Sequence, residues 1–246
     1  MGHGEKTRIN AEYIMLNTDI KNVFLYEEID STNAECKRLY NKGFTSCAAF
    51  AVRQTSGKGR MGRNFNSPQG GLYMSFTLKP DDPMLITAKA AVSVSKAAGR
   101  YAGNKIKWPN DIYLNGKKLC GILAEGIYST EAHNFEYIIM GIGINVFSDK
   151  YGLSDDFASL EQYTSESIDI NLLAKDIING LTKSDKFDLD YYKSHSLILG
   201  KKISVVKGND IYTARALDIN AKAHLIIESE RGKEELSAGE ISIRDF

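Results

Sequence analysis

An Asn115-Gly116 pair sits between two strand-like runs, Ile106 to Leu114 and Lys117 to Ala124. Asn-Gly is the strongest short signal for a two-residue hairpin, because such turns need positive φ at both central positions. It therefore predicts an antiparallel pair and brings Trp108–Asp111 near the level of Lys118–Gly121 on the next strand. Earlier in the chain, Gly57-Lys58-Gly59-Arg60-Met61-Gly62-Arg63 puts three cations and three glycines into seven residues. Glycines let backbone N–H groups approach an anion closely, and Lys and Arg add full charges.

The rest of the chain supplies elements around these two features. An apolar run, Val23-Phe24-Leu25-Tyr26, leads into Glu27-Glu28-Ile29-Asp30-Ser31-Thr32-Asn33. Ser31, Thr32 or Asn33 can cap a helix over 33–42 that Gly43 ends. Cys47 to Val52 reads as a strand feeding Gln54-Thr55 and the glycine-cation loop, and Gly71 to Leu78 as the next strand. Ile86 to Tyr101 is alanine-rich and reads as a buried helix, with Gly103 just beyond it. Glu136 to Val146 is a further strand. Its Gly141 and Gly143 point to close approach of a ligand or another backbone. Helical periodicity runs from Ile170 to Tyr192. After Leu199-Gly200 the texture changes to short strands separated by Gly208-Asn209-Asp210, Asn220-Ala221 and Arg231-Gly232. This predicts an α+β domain over 1–198, a mixed sheet backed by helices, and a small β-barrel module over 199–246 that packs on it.

Composition removes several classes. The 31 basic and 31 acidic residues cancel, which argues against bulk nucleic-acid binding. There is no run of about 18 apolar residues, so no membrane span is expected. The polar stretch Met1 to Asn10 lacks the apolar core of a signal peptide, so a cytoplasmic protein is expected. Cys36, Cys47 and Cys120 share no C-x-x-C spacing and read as free thiols. His3, His133, His195 and His224 form no paired ligand motif, so a metal held by protein alone is not expected. Mg²⁺ carried on a nucleotide stays open. The Asp81-Asp82 pair before Pro83 reads as a turn.

Four elements converge on one chemistry. Ser31, Thr32, Asn33 and Gln54 offer neutral donors and acceptors suited to a urea or amide. Lys58, Arg60, Arg63 and Lys118 offer charge for a carboxylate and phosphates. Asn145 can read a purine edge. There is no Ser-His-Asp set, no nucleophilic cysteine motif and no Walker lysine loop. Such a site holds and neutralises anions, which suits nucleotidyl transfer.

These residues carry a resemblance. Gln54-Thr55-Ser56-Gly57-Lys58-Gly59-Arg60-Met61-Gly62-Arg63, then Ser67-Pro68 and Gly70-Gly71-Leu72-Tyr73, resembles the biotin-binding loop of biotin protein ligases. Lys107-Trp108-Pro109-Asn110-Asp111 and Lys118-Leu119-Cys120-Gly121-Ile122-Leu123-Ala124-Glu125 resemble the family's second block, Gly141 to Val146 its third, and Asp30 to Asn33 its first. The likeness spans about 24–246. It implies a class II synthetase-like catalytic domain with an SH3-like C-terminal barrel. It also implies a two-step reaction: biotin and ATP with Mg²⁺ give biotinyl-5′-adenylate, and a lysine of a biotin carboxyl carrier protein domain then takes the biotin. By the resemblance, Ser31, Thr32, Asn33, Gln54, Gly57, Lys58, Arg60, Lys118 and Gly121 meet biotin. Arg63, Phe65, Asn110, Asp111 and Asn145 meet the nucleotide, with Asp111 a candidate Mg²⁺ contact. Lys118, Arg60 and Arg63 carry the chemistry. Homodimerisation through the sheet is common in the family, and this sequence does not decide it.

The chain departs from the family in places. Lys58 stands where many members have Arg, and Phe65 where many have Trp. Cys120 takes a usually small position. The first block begins near residue 27, so the DNA-binding helix-turn-helix of some members is not expected, nor is a repressor role. Taken singly, residues also have plainer readings. Ser31 and Thr32 serve as N-caps, Trp108 as core, Lys107 and Lys117 as solvated charges, Glu125 as a strand-end surface charge, and Asn145 as a partner for backbone groups. Two rivals remain: a lipoate–protein ligase or octanoyltransferase, and a non-catalytic biotin-responsive binding protein.

Overall fold

A computed structural model describes residues 8–79, 82–129, 133–147, 154–184, 186–207, 209–237 and 240–242. Seven strands form one mixed sheet in the order β1-β2-β3-β7-β6-β5-β4. They are β1 (Asn22–Ile29), β2 (Cys47–Gln54), β3 (Gly71–Leu78), β4 (Lys105–Lys107), β5 (Asp111–Leu114), β6 (Lys117–Ser129) and β7 (Asn134–Asn145). Only β1 and β2 run parallel; every other neighbouring pair is antiparallel.

The central strands are buried on both faces, and alternation sorts their side chains into two layers. Ala48, Phe50, Met74, Phe76, Met140 and Ile142 join the main core, shared with helices α3 (Ile86–Ala98) and α4 (Ile170–Thr182). Cys47, Ala49 and Ile139 face the other way, toward Cys36 and Leu39 of helix α2 (Thr32–Asn41). On this second face β7 carries Gly141 and Gly143 where a core strand would place large residues. The opening they leave is where the candidate site lies.

The helix expected over 33–42 is α2, capped by Ser31 and followed by Gly43 at φ 94°. Several boundaries differ from expectation. A short helix, α1 (Ala11–Asn17), precedes β1 where the sequence reading has no element. The alanine-rich helix stops at Ala98 rather than Tyr101, because Gly99 caps it through Ser95 O. The strand expected over 106–114 breaks into β4 and β5 at Trp108-Pro109-Asn110, where proline cannot donate to the ladder. The periodic stretch 170–192 is two helices. Asp188 starts α5 (Leu189–Ser194) by accepting from Tyr191 N, and the chain between bends so that Phe187 packs on the core. The turn at Asn115-Gly116 has φ of 50° and 80°, as a two-residue hairpin requires. Asp82 accepts from Met84 N at 2.9 Å and so belongs to a turn; Asp81 lies outside the described residues.

Five further strands, β8 (Lys202–Lys207), β9 (Asp210–Ile219), β10 (Leu225–Ser229), β11 (Gly232–Leu236) and β12 (Glu240–Ser242), form an antiparallel sheet in the order β11-β10-β9-β8-β12. The described pairings give a sheet, and closure into a barrel stays an expectation. Ile203, Val205, Ala214, Ala216, Leu225 and Ile227 belong to the same core cluster as Trp108 and Ile112. Trp108 Nε1 donates to Ala223 O at 2.8 Å, tying this sheet to the β4–β5 turn.

Candidate active site

A cavity of about 350 Å³ opens on the α2 face of the large sheet. The first turn of α2 closes one end. Ser31 Oγ caps the helix, accepting from Ala34 N at 3.4 Å. Thr32 N and Thr32 Oγ1 both donate to Gln54 Oε1, at 2.7 and 3.1 Å. Gln54 Nε2 donates to Ser67 Oγ at 2.7 Å. From β3, Ser75 Oγ lies 2.7 Å from Thr32 Oγ1 and 2.6 Å from Asn33 Oδ1. Asn33 Nδ2 donates to Glu125 Oε2 at 2.6 Å. Ser31, Thr32, Asn33 and Ser75 are all buried, so this end is a fixed, neutral set of donors and acceptors.

Glycines make room for it. A β-carbon at Gly141 would lie 2.0 Å from Asn33 Oδ1. Phe65 stands over the paired glycines of β6 and β7: β-carbons at Gly121 and Gly143 would meet its ring at 2.7 and 2.4 Å. The close approach expected at Gly141 and Gly143 is therefore made by side chains of the same chain.

The glycine-cation loop folds back on itself as a narrow ladder. Phe65 N donates to Gly57 O at 2.8 Å and Gly59 N to Arg63 O at 2.7 Å. Met61 and Gly62 turn the tip at φ 54° and 74°. The tip reaches across the cavity, where Arg60 Nη1 donates to Asn110 Oδ1 at 2.9 Å. Lys58, Arg63 and Phe65 line the cavity with it. Gly57 does not line it. Its absent side chain instead lets Phe65 O and Ser67 Oγ come close behind the loop.

The far end is charged, and a β-bulge aims it. Gly121 of β6 pairs with Asp111 and Cys120 with Ile112, but Lys118 pairs with Tyr113, leaving Leu119 as the extra residue. Without the bulge Lys118 would alternate into the core alongside Cys120. With it, Leu119 takes the core and Lys118 turns to the cavity. Segment 154–158 satisfies the bulged backbone: Lys118 N donates to Asp156 O and Ala158 N to Lys118 O, each at 2.9 Å. Lys118 Nζ then lies 2.8 Å from Asp111 Oδ1 and 5.9 Å from the centre of the Phe65 ring. Lys117 pairs with Leu114 and stays out of the cavity, as alternation predicts.

The cavity thus brings together Ser31, Thr32, Asn33, Gln54, Lys58, Arg60, Arg63, Phe65, Asn110, Asp111, Lys118 and Gly121. Asn145 is not among its lining residues. Alternation along β7 puts it on the same face as Gly143, but it lies two residues further on, buried, opposite Gly71. Glu125 is exposed, as a surface charge would be, but it sits inside β6 rather than at its end, and it holds Asn33. Ser67 falls within the loop resemblance, but its hold on Gln54 is not read from the sequence, and Ser75 is missed, because nothing in a lone serine marks it as an anchor for Thr32. Lys107 reads as solvated in the sequence, yet it is half-buried and lines the cavity. Val206 of the C-terminal sheet lines it too. Among the described residues no group of three or more His, Cys, Asp or Glu is placed to hold a metal. No helix among them is long and apolar enough to cross a membrane.

Comparison with known proteins places this chain and its fold in a family. The model of the biotin/lipoate A/B protein ligase family matches residues 26–145, and that of the biotin protein ligase C terminal domain matches 198–244. The bifunctional ligase/repressor BirA of Bacillus spizizenii is 31% identical over 89% of this chain and 73% of its own length. The biotin--[acetyl-CoA-carboxylase] ligase of Mycobacterium tuberculosis is 26% identical over 86% of this chain and 85% of its own. The structure of Aquifex aeolicus biotin protein ligase in complex with biotin and ATP superposes with a TM-score of 0.71 at 30% identity, covering 92% of this chain and 99% of that one. The chain belongs to the biotin protein ligase family.

Proposed function

We propose that this chain activates biotin with ATP to biotinyl-5′-AMP and passes the biotinyl group to a lysine of a biotin carboxyl carrier domain. One observation supports this above the rest: the cavity is neutral and hydrogen-bonding at the α2 end and cationic at the Lys118 end. A bicyclic urea carrying a carboxylate tail has that same polarity. Thr32, Gln54, Ser31 and Asn33 receive the ureido ring. Lys118, Arg60, Arg63 and Lys58 offset the repulsion as the carboxylate oxygen attacks the α-phosphorus and pyrophosphate leaves. Phe65, Asn110 and Asp111 serve the nucleotide, and Asn145 extends that side only if the cavity lengthens along β7. Among the described residues Asp111 is the one carboxylate lining the cavity, so Mg²⁺ would be held chiefly by the phosphates with Asp111 in support. There it would neutralise charge on the phosphates.

Residues 1–198 form the activating unit in this reading, and 199–246 an appended unit that contributes Val206 to the cavity wall. The protein works in the cytoplasm with ATP and the carrier domain. The repressor role in the Bacillus relative's name is not carried over, since the net charge is zero.

The test is exchange of labelled pyrophosphate into ATP. Exchange that needs biotin is the expected result. Exchange driven instead by lipoate or octanoate would move the chain to the lipoate-handling branch. Biotin binding with no exchange would make it a binding protein.

A further inference from the structure

The cavity has an order across the sheet. Asn33 stands over Gly141 on β7, Gly121 and Lys118 lie on β6, Asp111 on β5, and Lys107 ends β4 at the sheet edge. Three strand spacings separate β7 from β4, roughly 14 Å. On the sheet Lys107 thus lies two strands beyond Lys118, away from the neutral end. It pairs directly with Asp111 across β4 and β5. Its ammonium is held from one side by Tyr113, donating to Oη at 3.3 Å and lying 5.1 Å from the ring centre.

Its partners do not account for it. Among the described residues Lys107 forms no ion pair, whereas Lys118 has Asp111. Burial pushes its ammonium below the usual lysine range; Asp111, the strongest nearby charge, offsets part of this, and Lys118 and Arg63 each add a smaller push downward. A half-buried cation beside two others is costly unless an anion joins them. Lys117, by contrast, lies outside the cavity.

We propose that Lys107 binds the β- and γ-phosphates of the nucleotide and neutralises the departing pyrophosphate. This rests on the adenylation reading above and adds a residue to it. As the carboxylate oxygen bonds to the α-phosphorus, the bond from that phosphorus to the bridging oxygen breaks. The electron pair leaves with pyrophosphate, where negative charge grows, and no proton need move. Lys118, nearer the neutral end, serves the carboxylate and α-phosphate. Lys107 serves the leaving group.

The experiment compares wild type, Lys107→Met and Lys107→Arg. Four quantities are measured: KM for ATP, inhibition by pyrophosphate, biotin affinity by calorimetry, and biotin transfer from preformed biotinyl-5′-AMP to a carrier domain. Lys107→Met should weaken pyrophosphate inhibition and raise KM for ATP by roughly ten- to a hundredfold, the range for one charge-assisted contact. Biotin affinity and transfer from preformed adenylate should be unchanged, which also shows that the variant folds. Lys107→Arg should restore most of the pyrophosphate sensitivity. If wild type is active and Lys107→Met keeps normal pyrophosphate inhibition, the assignment is overturned alone. It is equally overturned if biotin affinity falls in parallel. A wild type that exchanges no pyrophosphate overturns the activity and the assignment together.

Discussion

Arg60 is latched to Asn110. The two are fifty positions apart, and Arg60 Nη1 donates to Asn110 Oδ1 at 2.9 Å. Asn110 is itself pinned to β6: its Nδ2 donates to Ile122 O at 2.8 Å, and its backbone carbonyl accepts from Ile122 N at 3.0 Å. The tip of a glycine-rich loop thus closes on a fixed post, and the latch spans the cavity. Arg60→Gly should therefore release the adenylate faster while leaving its formation less affected. Losing one charge-assisted bond costs about 1.5–3 kcal/mol, or roughly ten- to a hundredfold in release. Biotinylation of bystander proteins measures the leak. Unlabelled bystanders with normal adenylate formation would show that the latch does not retain the intermediate.

Lys118→Ala should cut adenylate formation by about 10²–10³, the usual effect of removing a transition-state donor. Lys117→Ala is the control, because adjacent residues of a strand point to opposite faces and Lys117 lies outside the cavity. Pyrophosphate exchange distinguishes them. A crippled Lys117→Ala beside an active Lys118→Ala would mean the bulge lies elsewhere in the strand.

The local chemistry of this site is legible in the sequence where spacing and turn chemistry suffice. Asn115-Gly116 announces the hairpin because few residues accept two positive φ values in a row. The glycine-cation loop announces an anion site. What stays hidden depends on tertiary register. The bulge at Leu119 leaves no trace in an apolar run, although it decides which lysine faces the cavity. The anchoring by Ser67 and Ser75 is set by strands that meet only after folding. Lys107 looks solvated because its surroundings are supplied by Tyr113 and the loop. Asn145 lies on the same face as Gly143 but outside the cavity lining. The break in the 170–192 helix sits at Asp188, whose side chain starts α5 by accepting from Tyr191 N, a cap that hydrophobic periodicity does not register.

Gly141→Ala should destabilise the fold. Its β-carbon would fall 2.0 Å from Asn33 Oδ1. Asn33 cannot easily retreat, since Ser75 and Glu125 hold it. Overpacking of this kind costs about 1–3 kcal/mol. Gly103→Ala is the comparison, because a β-carbon there would meet nothing within 4 Å. Urea unfolding of both variants reads the difference. Equal midpoints would mean that the α2 end yields more easily than its hydrogen bonds imply.

Stability near the α2 N-terminus should depend on acid through Asp30. Arg38 donates to Asp30 at 3.1 and 2.7 Å and to Glu35 Oε2 at 2.6 Å. The Arg38 bonds to Asp30, with Ser31 N adding another, bring its carboxyl from 3.8 down to about 2. A carboxyl with a depressed folded pKa stabilises fully above its unfolded value and loses that contribution as pH falls through the folded one. The window is therefore between about pH 4 and pH 2. Asp30 is half-exposed, so solvent screening keeps the effect at or below about 1 kcal/mol. Arg38→Gln should flatten the fall in urea midpoint between about pH 4 and pH 2.5 and change little near pH 7 beyond a constant offset. If wild type and Arg38→Gln lose stability in parallel over that window, another carboxylate controls the acid limb and the Asp30–Arg38 pair does not.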